Sequence, residues 1–297
     1  MTKQPWERKS WANPFWPITQ KAFMWPFAHT CDANCPYCFS QAGVAGRVAA
    51  GERWWTDDEA VTAWRNVYER YGPCYILLSG LEPGEQLGLV GRVLEYHYAG
   101  MASNFTFDID ECRRLIKPDH IEFHPTFHPH LWALDPEPFC AKVAALKADG
   151  YSIPLASLVA YPPYIPRLDE YVAALGQVVK TVNVAPARLC TYQGKPYPES
   201  YTEEELVVLR RHIPALYTTQ ATIPPLKIVR CAAGHVAACV FLNGDIGRCS
   251  QVRGMGGQNL FRDGNIDFLD GPLPCGEESC RCAQLAVYHI HADGDGA

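Results

Sequence analysis

Short apolar runs alternate with segments of helical period along most of the chain. Phe23-Met24-Trp25-Pro26-Phe27-Ala28 predicts a first strand. Thr56-Asp57-Asp58-Glu59 has the form of a capping box, and Val61, Trp64, Val67, Tyr68 and Tyr71 follow at helical spacing. Tyr75-Ile76-Leu77-Leu78-Ser79 reads as a buried second strand. A helix is predicted over 85–99, stopped by Gly100. Asn104-Phe105-Thr106-Phe107 and Ile121-Glu122-Phe123 are the third and fourth strands. Asp135-Pro136 opens a helix with Phe139, Val143 and Leu146 on one face and Gly150 at its end. Ile153 to Ala160, Leu168 to Val178 and Thr181 to Ala185 read as strand, helix and strand. Six such alternations predict an α/β fold with a parallel sheet and crossover helices. No repeat of solenoid period is present.

The two ends have a different texture. Residues 1–22 carry Trp6, Trp11 and Trp16 among prolines, with neither helix nor strand period, and read as an arm laid on the main domain. Thr202-Glu203-Glu204-Glu205 caps a helix running to about His212, and 218–225 reads as a linker. Beyond it come short strands, glycines and six cysteines, so a domain boundary is expected between 225 and 226, dividing the chain into 1–225 and 226–297. Residues 292–297 read as a frayed tail.

Composition narrows the class. The chain has 297 residues, a net charge of −6 and no Lys/Arg stripe, which disfavours nucleic acid as the partner. No apolar run is long enough for a membrane span, and Met1 to Trp6 opens without the apolar stretch of a signal peptide, so a cytoplasmic protein with no membrane partner is expected. Thirteen cysteines in such a chain argue for metal rather than disulfides.

The densest chemistry follows the first strand, in Cys31-Asp32-Ala33-Asn34-Cys35-Pro36-Tyr37-Cys38-Phe39. A cubane iron–sulfur cluster normally takes four thiolates, so three in one loop leave one iron without a protein ligand. Zinc is the competing reading, but it needs a nearby fourth ligand, for which only His29 stands close. The CxxxCxxC spacing with its aromatic neighbours resembles the radical S-adenosylmethionine (SAM) superfamily. There SAM chelates the open iron and is cleaved to a 5′-deoxyadenosyl radical that abstracts hydrogen from unactivated C–H bonds. The resemblance implies a partial (β/α)6 TIM-like barrel, a [4Fe–4S] cluster on Cys31, Cys35 and Cys38, and SAM beside Tyr37 and Phe39. Gly80-Leu81-Glu82-Pro83 is similar to the superfamily's GGEP motif, with Leu81 replacing the second glycine, and implies a grip on SAM's amino group by Gly80 and Glu82. Asp108, Glu122 and Ser157 lie on or just after strands and are the candidate contacts to the rest of SAM. Asp110, His124, Tyr161, Asn183 and Arg188 are also placed there, and the sequence does not sort cofactor contacts from substrate contacts or from structural hydrogen bonds. His124, His128 and His130 also have the look of a metal set, although the iron–sulfur sites already account for the metal signal.

A second cysteine group closes the chain. Cys231, Gly244 and Cys249 are similar to the opening of the SPASM and twitch domains that carry auxiliary clusters in this superfamily, and Cys275, Cys280 and Cys282 follow. The resemblance implies a small C-terminal twitch-like domain with one auxiliary [4Fe–4S] cluster. Cys239 falls inside an expected strand, Val236 to Leu242, and reads as a packing residue. If Cys231, Cys275, Cys280 and Cys282 hold the cluster, Cys249 is a spare thiol able to donate a hydrogen atom; the alternative is that Cys249 is itself a ligand. Cys190 is a second donor candidate. A spare donor favours epimerisation, and the resemblance extends to radical SAM epimerases of aminoglycoside amino sugars, whose cationic substrates suit an acidic protein. An external one-electron reductant of flavodoxin or ferredoxin type is then required. The alternatives are a radical SAM dehydrogenase of an amino-cyclitol or sugar alcohol, and a non-catalytic iron–sulfur or zinc protein.

Overall fold

The computed structural model describes residues 21–38, 55–188, 190–213, 228–250, 252, 255–274 and 289–291. Phe39, the tryptophans of the N-terminal arm, the linker, Cys275, Cys280, Cys282 and the tail lie outside the described residues.

Strand β1 (Ala22–Ala28) is followed by α1 (Asp57–Tyr71), β2 (Tyr75–Gly80), α2 (Leu87–Val93), β3 (Tyr98–Ser103), α3 (Ile109–Leu115) and β4 (Ile121–Phe127). Then come α4 (Glu137–Ala148), β5 (Leu155–Ala160), α5 (Leu168–Leu175) and β6 (Thr181–Pro186). A small hairpin, β7 (Cys190–Tyr192) and β8 (Lys195–Tyr197), leads to α6 (Glu203–Leu209). The last described segments are β9 (Ile228–Cys231), β10 (Ala237–Val240), β11 (Ile246–Gly247), α7 (Leu260–Asp263) and β12 (His289–His291).

Strands β1 to β6 stand side by side in chain order, each parallel to the next. This is the α/β parallel sheet with crossover helices expected from the alternation, in keeping with the partial (β/α)6 barrel that the resemblance implies. Alternate strand residues face opposite ways. Phe23, Trp25, Ile76, Leu78, Ala99, Met101, Phe123, Phe127, Ala156 and Leu158 meet the helices in the main core. The other face bears Met24, Pro26, Leu77, Ser79, Gly100, Ala102, His124, Thr126, Ser157 and Asn183. This inner face lines the barrel lumen, and Asn183 on β6 is exposed.

Both capping boxes are present, Thr56 with Glu59 and Thr202 with Glu205, each worth about 1 kcal/mol to its helix. The third strand differs from expectation. Residues 85–99 do not form one helix: a 3-10 turn, Pro83–Gln86, and α2 end by Val93, and β3 begins at Tyr98. Asn104 to Phe107 are loop, with Phe105 at φ +67°. The strand Tyr98-Ala-Gly-Met-Ala-Ser has no β-branched residue, so its propensity is weak, and Gly100 imitated a helix stop. Gly100 is a mid-strand glycine for a packing reason. A Cβ there would stand 2.2 Å from the Tyr75 hydroxyl, which lies over the strand.

The expected boundary at 225/226 does not coincide with a break in the sheet. Strand β10 pairs in parallel with β1 and extends the barrel sheet, while β11 turns back antiparallel to it. Gly244 makes that hairpin possible at φ +88°, where an added Cβ would stand 2.6 Å from both Asn259 and Phe261. Cys239, fully buried in β10, fits the expected packing role.

His97 stands at the centre of the helix–sheet core with 0% exposure. The Cys74 N–H donates to its Nδ1 (3.1 Å), so Nε2 carries the proton and donates to the Trp64 carbonyl (2.9 Å). Burial lowers its pKa from 6.5 to about 4, so the fold holds it neutral. A group depressed in this way contributes stability that is complete above the unfolded value and lost as pH falls from 6.5 toward 4. The loss is about 3 kcal/mol. Urea unfolding at pH 7.5 and 4.5 is expected to show a His97→Gln variant losing less stability over this interval than wild type; equal losses would contradict the assignment.

Candidate functional site

The three-cysteine loop leaves the C-terminal end of β1, the end at which barrel enzymes place their chemistry. Four neighbouring elements hold it. Leu81 N–H donates to the Ala28 carbonyl (2.8 Å) and Glu82 N–H to the Thr30 carbonyl (3.0 Å), which seats the end of β2 against the loop. Gly80 allows this approach: its φ is +127°, and a Cβ would stand 2.5 Å from the Ala28 oxygen. Glu85 accepts from the Asp32 N–H (3.0 Å), and the Asn104 amide donates to the Cys31 sulfur (3.9 Å). From the loop after β4, His130 Nε2 donates to the Ala33 carbonyl (3.1 Å) and its Nδ1 accepts from the Tyr164 hydroxyl (3.1 Å). His128 Nδ1 lies 2.8 Å from the Tyr37 hydroxyl and 3.7 Å from the Cys35 sulfur.

Cys31, Cys35 and Cys38 are each partly buried and carry no disulfide. Burial pushes the Cys35 thiol up to about 12, and the nearby Cys31 and Cys38 sulfurs add to it. Burial raises Cys31 as well. With Cys31 and Cys35 costly to ionise alone, the three thiols of the loop form a donor set that a cation would stabilise. The chemistry of the set fits an iron–sulfur cluster with one iron left open.

Glu82 has a different task from the one the motif implies. It is 1% exposed, and both oxygens are engaged: Oε1 accepts from Gly84 N–H (2.7 Å) and Ser103 Oγ (2.6 Å), Oε2 from Asn104 N–H (2.6 Å). Burial raises its pKa to about 7, against the pull of these three donors. The carboxylate ties the end of β2 to the end of β3 and orients Asn104 toward Cys31. Tyr37 is likewise turned inward, 5% exposed, packed on Tyr161 (ring centroids 4.9 Å) and stacked with His128 (5.7 Å).

The remaining candidates separate. Asp108 is exposed and caps α3, accepting from the Glu111 N–H (2.7 Å), and Asp110 pairs with Arg113. Ser157 faces the lumen and accepts from Asn183 (3.4 Å). Glu122 also faces the lumen, but near the N-terminal end of β4, four residues below Thr126 and so ~13 Å down the strand. It is bonded to Ser152 and His124. This sets it far from the thiol loop and argues against a contact to a ligand held there. The three histidines do not converge: His128 and His130 serve the thiol loop, whereas His124 pairs with Glu122. Asn104, Ser103, Tyr164 and the aromatic packing around Tyr37 had no role in the motif reading. The signal was a polar Ser-Asn pair at the end of a strand, hidden by the misplacement of β3.

Of the second cysteine group, the described members Cys231 and Cys249 lie at the opposite end. Extending the β10–β11 register (Gly247 opposite Cys239) brings Cys249 opposite Ala237, level with Ala22 at the start of β1. Cys231 and Cys249 pack with Ala22, Tyr75, Leu77, Tyr98 and Ala237 in a second apolar cluster on the lumen side of the sheet. Each sulfur accepts a backbone N–H, from Ala233 to Cys231 (3.4 Å) and from Val252 to Cys249 (3.3 Å). Cys190 is half-buried on β7.

No protein-family model matches the chain, and no curated protein matches it. Solved structures do. A structure described as native anSMEcpe with bound AdoMet and the Cp18Cys peptide aligns with a TM-score of 0.52 at 12% identity, covering 81% of this chain and 77% of that one. Native anSMEcpe with bound AdoMet gives a TM-score of 0.52 at 13% identity, covering 81% and 78%. These neighbours are anaerobic sulfatase-maturating radical SAM enzymes. The chain has the fold of a radical SAM enzyme. Among the described residues, no helix is long and apolar enough to cross a membrane.

Glu82→Ala would strand three buried donors at once. An unsatisfied buried donor costs about 1–3 kcal/mol, so the variant is expected to lose about 3 kcal/mol or more in urea unfolding. A loss below about 1 kcal/mol would mean that water replaces the carboxylate.

Proposed function

We propose that this protein is a radical SAM enzyme that inverts one carbon stereocentre of an aminoglycoside amino sugar, as in the conversion of neomycin C to neomycin B. Cys31, Cys35 and Cys38 would hold the SAM-binding cluster, and when bound, cluster and SAM together supply a 5′-deoxyadenosyl radical that takes one hydrogen atom from the sugar. The observation that carries the reading is the separation of two thiol sites along one lumen. The three-thiol loop stands at the C-terminal end of the strands, and Cys249 packs at the N-terminal end. A substrate between them is approached on opposite faces.

Cys249 then acts on the planar carbon radical from the face opposite abstraction. Its S–H bond breaks, a new C–H bond forms with inverted configuration, and the sulfur is left as a thiyl. One electron from an external flavodoxin- or ferredoxin-type reductant and one proton return it to the thiol. The overall change in the substrate is isomerisation, and one SAM is consumed per turnover. The anSMEcpe structures hold AdoMet within the same fold, which supports SAM as the co-substrate. Cys231 with Cys275, Cys280 and Cys282 would hold the auxiliary cluster.

One observation favours a second reading. Cys249 accepts a backbone N–H in the same manner as Cys231, an arrangement suited to a cluster-bound thiolate. If both ligate iron, the spare donor is gone and a dehydrogenase of an amino-cyclitol or sugar alcohol fits better. Cys249→Ala decides. On the epimerase reading the variant retains its full iron content and forms 5′-deoxyadenosine with neomycin C, but yields no inverted product. Wild type in deuterium oxide places a single deuterium at the inverted carbon. Loss of iron from the variant, with a wild-type product two hydrogens lighter, would establish the dehydrogenase. Absence of 5′-deoxyadenosine from the reconstituted, reduced protein would leave only a non-catalytic metal protein.

A further inference from the structure

The strand register gives the lumen a row of its own. Cys239, Met24, Leu77, Gly100 and Glu122 are successive partners across β10, β1, β2, β3 and β4. They share one face and one level, a single inward step above Ala22 and Ala237, and Cys249 is level with that pair. Glu122 is the charged residue of this row. At the inward positions of β1 to β6 and β10 there is no other carboxylate and no lysine or arginine.

The carboxylate is built in, not loosely held. Its Oε2 accepts from Ser152 Oγ (3.0 Å) and its Oε1 from His124 Nε2 (2.9 Å). The side chains of Glu122 and His124 are only 15% and 21% exposed, so they are mostly shielded yet reachable from the lumen. The Tyr75 hydroxyl joins them. It lies over Gly100, directly beside Glu122 in the register, and the Cβ position of Gly100 is 3.1 Å from His124 Cε1. A glycine at 100 is what leaves room for this convergence. Taking a carboxylate into a barrel is costly, and its basic neighbour here is a single imidazole, that of His124. The donors on Ser152 and His124 recover part of that cost, and a cationic ligand recovers more.

We propose that Glu122, supported by His124, Ser152 and Tyr75, is an ammonium-binding subsite at the base of the lumen. This rests on the aminoglycoside reading above and specifies it: the subsite grips an amino group of the sugar, one inward step along the strands above the level of Cys249. The ligand class is a primary ammonium on a polar sugar. A neutral sugar alcohol would leave the carboxylate without its counter-charge.

Calorimetric binding to the reconstituted enzyme tests it, with neomycin C and with an analogue bearing hydroxyls in place of the amines of the reacting sugar. Glu122→Gln preserves size and the bond from Ser152. The expected result is a Kd at least about tenfold higher for neomycin C, with no change for the hydroxyl analogue. A structural role alone would weaken both ligands equally, and that result overturns the proposal. So does an unchanged Kd for neomycin C, which would leave the epimerase reading intact. If the wild type binds no aminoglycoside, it is the functional reading that fails, and the subsite with it. Should Glu122→Gln not fold, Glu122→Asp keeps the charge but withdraws it; a selective loss for neomycin C supports the subsite, and equal effects on the two ligands overturn it.

Discussion

The arrangement depends on strand polarity. Each strand from β1 to β6 runs the same way, so every loop that leaves a strand end emerges at one rim of the barrel. The thiol loop and the segments that brace it all arise there. The opposite rim is reached by a different device. Strand β10 joins β1 in parallel, and only the tight turn at Gly244 reverses the chain, so that β11 descends past β10 and brings Cys249 to the base. A residue with a Cβ at Gly244 would collide with Asn259 and Phe261, and the descent would be lost. One glycine thus decides at which end of the lumen the last thiol of this segment is found.

The upper rim is held mainly by polar bonds. Glu82 collects donors from two strand ends, and Asn104, placed by it, reaches Cys31. On the other side His128 and His130 bond Tyr37 and the Ala33 carbonyl. Desolvation keeps His128 neutral, lowered to about 4. A neutral imidazole near Cys35 adds no charge to the thiol set, so its contact to the sulfur is a hydrogen bond or packing contact and not an ion pair. The loop is therefore positioned by short-range directional bonds, which tolerate little displacement, and the sulfurs inherit that precision.

Much of the fold was legible because its strands are strongly apolar. Tyr75 to Ser79 and Ile153 to Ala160 announce themselves by composition, and both capping boxes formed where the sequence placed them. Strand β3 was illegible because it lacks β-branched residues and carries Gly100 at its middle, where the Tyr75 hydroxyl, from a partner distant in sequence, leaves no room for a Cβ. The thiol loop stood out in the sequence by its spacing and aromatic neighbours, and the structure places it at the C-terminal end of β1. The roles of Glu82 and Glu122 were not, because motif position does not reveal which way a carboxylate turns: Glu82 is consumed by backbone amides, and Glu122 sits near the far end of its strand. Asp108 illustrates the same limit, since an acid following a strand is as well suited to capping the next helix as to meeting a ligand.

The lower lumen has a physical logic of its own on the proposed reading. A carbon radical reacts with whatever weak bond it meets, so the wall around it must offer few. Between the two rims the inward positions are mostly small or apolar: Pro26, Leu77, Gly100 and Ala102, with Ser157 and Thr126 as hydroxyls. Alcohol O–H bonds are strong, unlike the phenolic O–H of Tyr75, and aliphatic C–H bonds comparable to the substrate's own give little driving force. An S–H bond is weaker than either, so a thiol at the base is the favoured donor wherever geometry allows contact. Geometry then becomes the source of selectivity. A sugar has several similar C–H bonds, and neither an apolar wall nor a thiol distinguishes among them. A fixed charge does, because an ammonium anchored on Glu122 sets which ring carbon lies on the line between the two rims. The carboxylate need take no part in bond making; it determines which bond is made.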